Sequence, residues 1–228
     1  MMIQHPSENR ENGCFSGRHR EESLRNRNAF VTYALIAINV AVFFFDEIFF
    51  GSTLDTGVLI RAGGAYVPYI SSGQYWRLFT AMFMHSGMQH LLNNMVMLFV
   101  LGTSLEYLLG HVKYAVLYVL CGLAANIAAW RYYAAADANV VSVGASGAIF
   151  AVMGAVIYIV IRNKGQAAGL SIRQMLVMLA FSVYFSFVGS NIAATAHIAG
   201  LISGFIAAVL LYRKPRGNQP HDRYRSII

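Results

Sequence analysis

Residues 174–212 read QMLVMLAFSVYFSFVGSNIAATAHIAGLISGFIAAVLLY, 39 positions without an Asp, Glu, Lys or Arg. A helix rising 1.5 Å per residue crosses a hydrocarbon core in roughly 20 residues, so this stretch is about twice the length of one crossing. Gly189-Ser190-Asn191 supplies a turn near its middle, and the stretch divides into two spans. The second of these carries His197, an ionisable side chain with no charged neighbour in sequence.

Further charge-free windows lie upstream, at Ala29–Phe45, Leu78–Leu105, Tyr114–Trp130 and Ala138–Ile161. Together the windows predict six spans, near 29–49, 88–108, 114–131, 145–162, 172–188 and 193–212. Composition agrees: 57% hydrophobic and 12% charged residues, with mean hydropathy +0.52, cannot cover a water-facing surface. The runs are continuously apolar rather than alternating, which disfavours a β-barrel. The expected fold is an all-α membrane protein, a six-transmembrane-helix bundle over 29–212. It lies between a polar, loosely ordered tail at 1–28 and a basic tail at 213–228. The first tail is too charged and too long for a simple cleaved signal peptide, so span one is expected to be an uncleaved anchor.

Basic residues orient the bundle. Fourteen of the 17 Lys and Arg residues fall on the side of both termini, which the positive-inside rule makes cytoplasmic; Arg61, Arg77 and Arg131 face outward. Topology and anionic membrane lipid then account for the formal charge of +7, and no nucleic-acid partner is implied. Cys14 and Cys121 fall in a tail and a span, a poor basis for a disulfide. Between spans one and two, Phe50 to Gly87 is long for a connector and predicts a structured first outer loop lying in the interface. Within it, Trp76-Arg77 reads either as a headgroup-zone anchor or as a specific structural pair of the loop.

The chemistry concentrates on two spans. Ser146 stands 16 residues before Arg162 and His197 stands 16 before Arg213. Both therefore sit roughly 24 Å above the inner boundary of a core about 30 Å thick, shallow enough for outside water to enter. A serine and a histidine at one depth are the minimum apparatus for covalent acyl transfer. Val141 to Ala145 read as a re-entrant lead-in, with Gly144 and Gly147 permitting sharply turned backbone beside the nucleophile. Ser146 in the first turn of its helix leaves N–H groups free to face an oxyanion. His85, His90, Asn93 and Asn94 cluster at the outer end of span two, and His90 and Asn94 share a helical face as potential donors. No zinc-ligand spacing is present, so neither a metal nor a cofactor is expected. No acidic residue lies near Ser146 or His197 in sequence, which favours a Ser-His dyad over a triad.

These motifs, in this order and with these spans between them, resemble the rhomboid family of intramembrane serine proteases, bacterial six-span type. The resemblance rests on Trp76-Arg77 in the long first loop and on the preceding histidine at His85. It rests also on His-x-x-x-Asn at His90 and Asn94, Gly-x-Ser-Gly at Gly144–Gly147, and Ala-His-x-x-Gly-x-x-x-Gly at Ala196, His197, Gly200 and Gly204. It implies a rhomboid-like bundle, a multi-pass location in the bacterial inner membrane and transmembrane proteins as substrates. It also implies Ser146 as nucleophile, His197 as general base and acid, and His90 and Asn94 with the Ser146 amide as oxyanion donors. Glu106 matches a family glutamate that helps hold the first loop and neighbouring helix ends. Phe150 departs from the tyrosine that many bacterial members carry: the ring face on the histidine is kept and the hydroxyl lost. Gly200 and Gly204 would let spans four and six approach closely.

A transporter would more naturally show repeated halves or charged relays. An inactive rhomboid-like protein that binds or escorts clients would be expected to lack the serine or the histidine. Span five, with bulky Leu176 to Phe187, is the expected gate for substrates arriving through lipid, either together with the cap at 186–191 or with the cap moving alone.

Overall fold

A computed structural model describes residues 29–189 and 194–214. The expected tail at 1–28, all but the first two residues of the expected tail at 213–228, and the turn at Ser190-Asn191 lie outside the described residues. Six long helices occupy the six predicted stretches: α1 (Phe30–Phe49), α5 (Met88–Leu109), α6 (His111–Ala135), α7 (Ser146–Arg162), α8 (Ile172–Gly189) and α9 (Ala194–Leu211). Between the first two lie α2 (Thr56–Ala62), β1 (Ala65–Tyr66), α3 (Val67–Ser71), α4 (Arg77–Thr80) and a 3-10 turn at Ala81–Phe83. Three two-residue strands complete the fold: β2 (Val141–Ser142), β3 (Gln166–Ala167) and β4 (Leu170–Ser171).

By length and composition α1, α5, α6 and α9 can cross a membrane. The helix α7 and the Ile172–Ser182 part of α8 are apolar but shorter. The third helix outruns its expected limits of 114 and 131. Lys113 and Arg131 bound the charge-free window, but a helix ends where its backbone breaks, not where a charge appears. The breaks here are Gly110, with φ +82°, and Asp137, with φ +48°.

The helix α7 is the centre of the bundle, buried almost continuously from Gly147 to Val156. Its partner α9 lies against it at backbone distance. A Cβ on Gly200 would stand 2.2 Å from the Gly147 carbonyl oxygen, and one on Gly204 only 1.9 Å from that of Ala151. Gly154 returns the contact from the other side, with its Cβ position 2.1 Å from the Leu201 carbonyl oxygen. Lipid supplies no hydrophobic force between helices, so such small-residue contacts and the dispersion they allow hold the pair together.

Glu106 organises the opposite end of the bundle. Its carboxylate, 1% exposed, accepts from the Val31 and Thr32 backbone N–H groups at 2.9 and 2.8 Å and from the Thr32 hydroxyl at 2.7 Å. His111 Nδ1 lies 2.5 Å from the same group. A carboxylate from α5 thus caps the amino end of α1, satisfying N–H groups that have no intrahelical partner. This corrects part of the sequence reading. The partners of Glu106 are neighbouring helix ends, and its hydrogen bonds reach no residue of the segment 50–87, because the side chain lies at the far end of α5.

The contact between α7 and α9 generates a stability test. Gly204→Ala should cost about 1–3 kcal/mol through overpacking, lowering the thermal unfolding midpoint in detergent. Ile202→Ala, on the exposed face of α9, should shift it little. Equal midpoints for the two variants would contradict the close approach.

Candidate active site

The segment between α1 and α5 folds on itself first. Arg77, 5% exposed, donates through Nη1 to the Ile60 and Gly64 carbonyls at 2.7 and 3.0 Å, and through Nε to Gln74 Oε1 at 2.7 Å. Burial lowers the pKa of its guanidinium. The guanidinium also stacks over the Trp76 and Tyr69 rings. The Arg77 contacts are those of a structural pair within the loop, and the indole of Trp76 is half exposed. Two α6 side chains bind this segment: Asn126 donates to the Leu78 carbonyl at 2.8 Å, and Trp130 Nε1 to the Ser71 hydroxyl at 3.1 Å.

That folded segment grips the approach to Ser146. Strand β1 pairs antiparallel with β2, Ala65 opposite Ser142 and Tyr66 opposite Val141. Two residues on, the Gly144 N–H donates to the Ala81 carbonyl at 2.9 Å. Gly144 has φ +130°, a conformation L side chains rarely adopt, and a Cβ there would lie 3.0 Å from His90 Nε2 and 3.7 Å from Ser146 Oγ. The missing side chain is the space in which His90 and Ser146 face each other. The helix then starts at Ser146, and its first intrahelical bond runs from Ile149 N to the Ala145 carbonyl. The amides of Ser146, Gly147 and Ala148 therefore precede the ladder, the arrangement that makes a helix start a receptor for negative charge.

His197 arrives on α9, 9% exposed, with Nε2 2.7 Å from Ser146 Oγ. The Phe150 ring stacks flat on the imidazole, centroids 4.1 Å apart and planes 7° from parallel. Gly147 brings α7 close to α6: a Cβ there would stand 3.0 Å from that of Ala125. One turn beyond His90, Asn94 donates one amide hydrogen to the His90 carbonyl at 3.0 Å, which leaves its second hydrogen for another acceptor. His85 is fully buried, edge-on to His90 with ring centroids 5.2 Å apart; the Phe83 backbone lies close enough to interact with its ring, though short of hydrogen-bond geometry. Burial first, and the neighbouring His90 imidazole second, push its pKa down to about 3, so the ring is neutral at physiological pH. No group of three or more metal-ligating side chains occurs among the described residues.

The site's sequence pattern has a family counterpart, since residues 72–214 match the model of the Rhomboid domain. The chain belongs to the rhomboid family. It is 34% identical to Rhomboid protease GluP of Bacillus subtilis (strain 168) over 180 residues, 79% of this chain but 34% of that protein. The chain thus spans about a third of the length of that relative. Putative rhomboid protease YdcA of the same organism is 34% identical over 145 residues, covering 64% of this chain and 71% of the relative. Rhomboid protease AarA of Providencia stuartii is 30% identical over 202 residues, covering 78% and 71% respectively.

Three supports of this rhomboid site escaped the sequence reading. Asn126 was visible as a polar residue inside an apolar window, a signal that was available. Gly154 and the β1–β2 pairing were not: a glycine in an apolar run has no distinguishing neighbour, and two-residue strands have no periodicity to detect. The Gly144 geometry generates its own test. Gly144→Ala should displace the His90 ring while leaving the helices intact, slowing covalent labelling of Ser146 by a fluorophosphonate at unchanged helical content. Labelling at the wild-type rate would show that the close approach of Gly144 to His90 is dispensable.

Proposed function

We propose that this chain is an intramembrane serine endopeptidase that hydrolyses peptide bonds in or next to transmembrane segments of other membrane proteins, using Ser146 and His197 as a dyad. The observation that carries the reading is the 2.7 Å separation of His197 Nε2 from Ser146 Oγ. At that distance the imidazole takes the hydroxyl proton as Oγ attacks the substrate carbonyl. The carbonyl oxygen becomes an oxyanion held by the Ser146 amide, His90 Nε2–H and the free amide hydrogen of Asn94. Collapse of the intermediate breaks the C–N bond, and the imidazolium gives its proton to the leaving amine. Water, deprotonated by the same imidazole, then hydrolyses the acyl-serine ester.

In this reading α7 and α8 join α1, α5, α6 and α9 as spans, giving six, with both termini on the cytoplasmic side of a bacterial cell membrane. The segment 50–87 is the first outer loop, and the dyad lies below the outer surface where water enters. The names of GluP and AarA as proteases support the activity. The rival reading, an inactive client-binding relative, has no observation in its favour, because the serine and histidine are both present and in contact.

Purified protein in detergent should cut a labelled model transmembrane span at one dominant position. Ser146→Ala and His197→Ala should abolish the cut, and Asn94→Ala should lower turnover by roughly 10²–10³-fold, as for loss of an oxyanion donor. Products unchanged by Ser146→Ala would refute the serine mechanism. For access, α8 exposes Leu176, Phe181 and Tyr184. Phe181→Ala should accelerate cleavage of a membrane-embedded substrate more than that of a short soluble peptide. Equal acceleration of both would remove α8 from the gate.

A further inference from the structure

After α1 the chain doubles back so that Thr53 meets both the helix it has left and the start of α5. Thr53 is fully buried and donates to Glu47 Oε1 through its backbone N–H at 2.8 Å and its hydroxyl at 2.6 Å. The same hydroxyl oxygen accepts from the Gly87 N–H at 3.1 Å. Gly87 precedes α5 with φ +78°, and a Cβ there would lie 2.7 Å from the Leu54 side chain. Beside it, the Ser86 N–H points at His90 Nδ1 at 3.4 Å. A neutral imidazole that accepts at Nδ1 carries its proton on Nε2. In His90 that nitrogen is the one beside the Gly144 Cβ position, facing the space shared with Ser146.

We propose that Glu47 and Thr53 are positioning residues for catalysis, a hydrogen-bonded relay that holds the Ser86-Gly87 turn so that His90 presents Nε2–H to the oxyanion. The inference rests on the reading of His90 as an oxyanion donor. The relay is directional. The carboxylate fixes the Thr53 hydroxyl proton, so the oxygen lone pairs are left facing Gly87, and bonds linked in this way strengthen one another. Apolar packing alone at position 53 would be served equally by valine, which neither donates nor accepts.

The test measures kcat and KM for a transmembrane substrate, and the rate of Ser146 labelling by a fluorophosphonate, with and without His90→Ala. Thr53→Val and Glu47→Ala should each lower kcat roughly tenfold, as expected for a catalytic group moved by a fraction of an ångström, with KM within about twofold. Thr53→Ser should restore the rate. In the His90→Ala background neither change should cost anything more, an outcome that loss of general stability would not produce. Wild-type kcat in Thr53→Val, or an equal loss in the His90→Ala background, overturns the relay. If Thr53→Val shows no cooperative unfolding transition, Glu47→Ala decides by the same two criteria. Ser146→Ala run alongside separates the two levels. Cleavage abolished there with Thr53→Val at full rate rejects the relay alone, and cleavage persisting in Ser146→Ala rejects the site and the relay with it.

Discussion

The contact between the α7 and α9 backbones is the constraint on which the rest of the molecule depends. Gly154, Gly200 and Gly204 each face a carbonyl across the crossing at a distance that leaves no room for a methyl group. That closeness brings the first turn of α9 to the first turn of α7, and with it His197 to Ser146. Phe150, one turn along α7, then has only the imidazole face to cover. Helices separated by ordinary side chains have axes 8–10 Å apart and tolerate sliding. A crossing set by carbonyl contacts has far less freedom, so the distance between Ser146 and His197 is built into the backbone.

Much of this was legible in the chain. Charge-free windows located the long helices because a span must be apolar along its whole length. Gly200 and Gly204 could be read as packing residues because they share a face with His197. Prediction was weakest where tertiary contacts decide. The ends of α6 were misplaced because Lys113 and Arg131 are accommodated within the helix, whose limits are set by Gly110 and Asp137. Glu106 could be expected at a helix end, but its partners on α1 and α6 depend on how three helices meet. The grip of β1 on β2 joins residues far apart in sequence through two pairs, and no local pattern announces it.

The first helix shows how polar residues set geometry in an apolar medium. Its buried face carries Thr32, Asn39 and Asp46 at seven-residue intervals, with Leu35 and Phe43 between them. Opposite them, Tyr114 and Tyr118 on α6 bring their hydroxyls inward. The first lies near Thr32 and the second near Asn39, close enough to interact though short of hydrogen-bond geometry. Rotating α1 would turn these polar groups toward hydrocarbon, where an unpartnered polar group costs most. A stripe of this kind specifies one rotational setting of the helix more sharply than an aliphatic face, as single polar positions do in coiled coils. Glu106 then fixes that helix axially by holding its amino end.

Ser146 and His197 are 51 residues apart in the chain, and the histidine belongs to α9, the last helix among the described residues. During synthesis the serine enters the membrane while the imidazole is still unmade or inside the ribosome. The first-loop grip on β2 can form at that stage, since both strands precede α7. The His197 imidazole arrives only when α9 docks against α7. A nascent chain whose α9 has not yet docked therefore carries Ser146 without the imidazole that lies beside it in the finished fold.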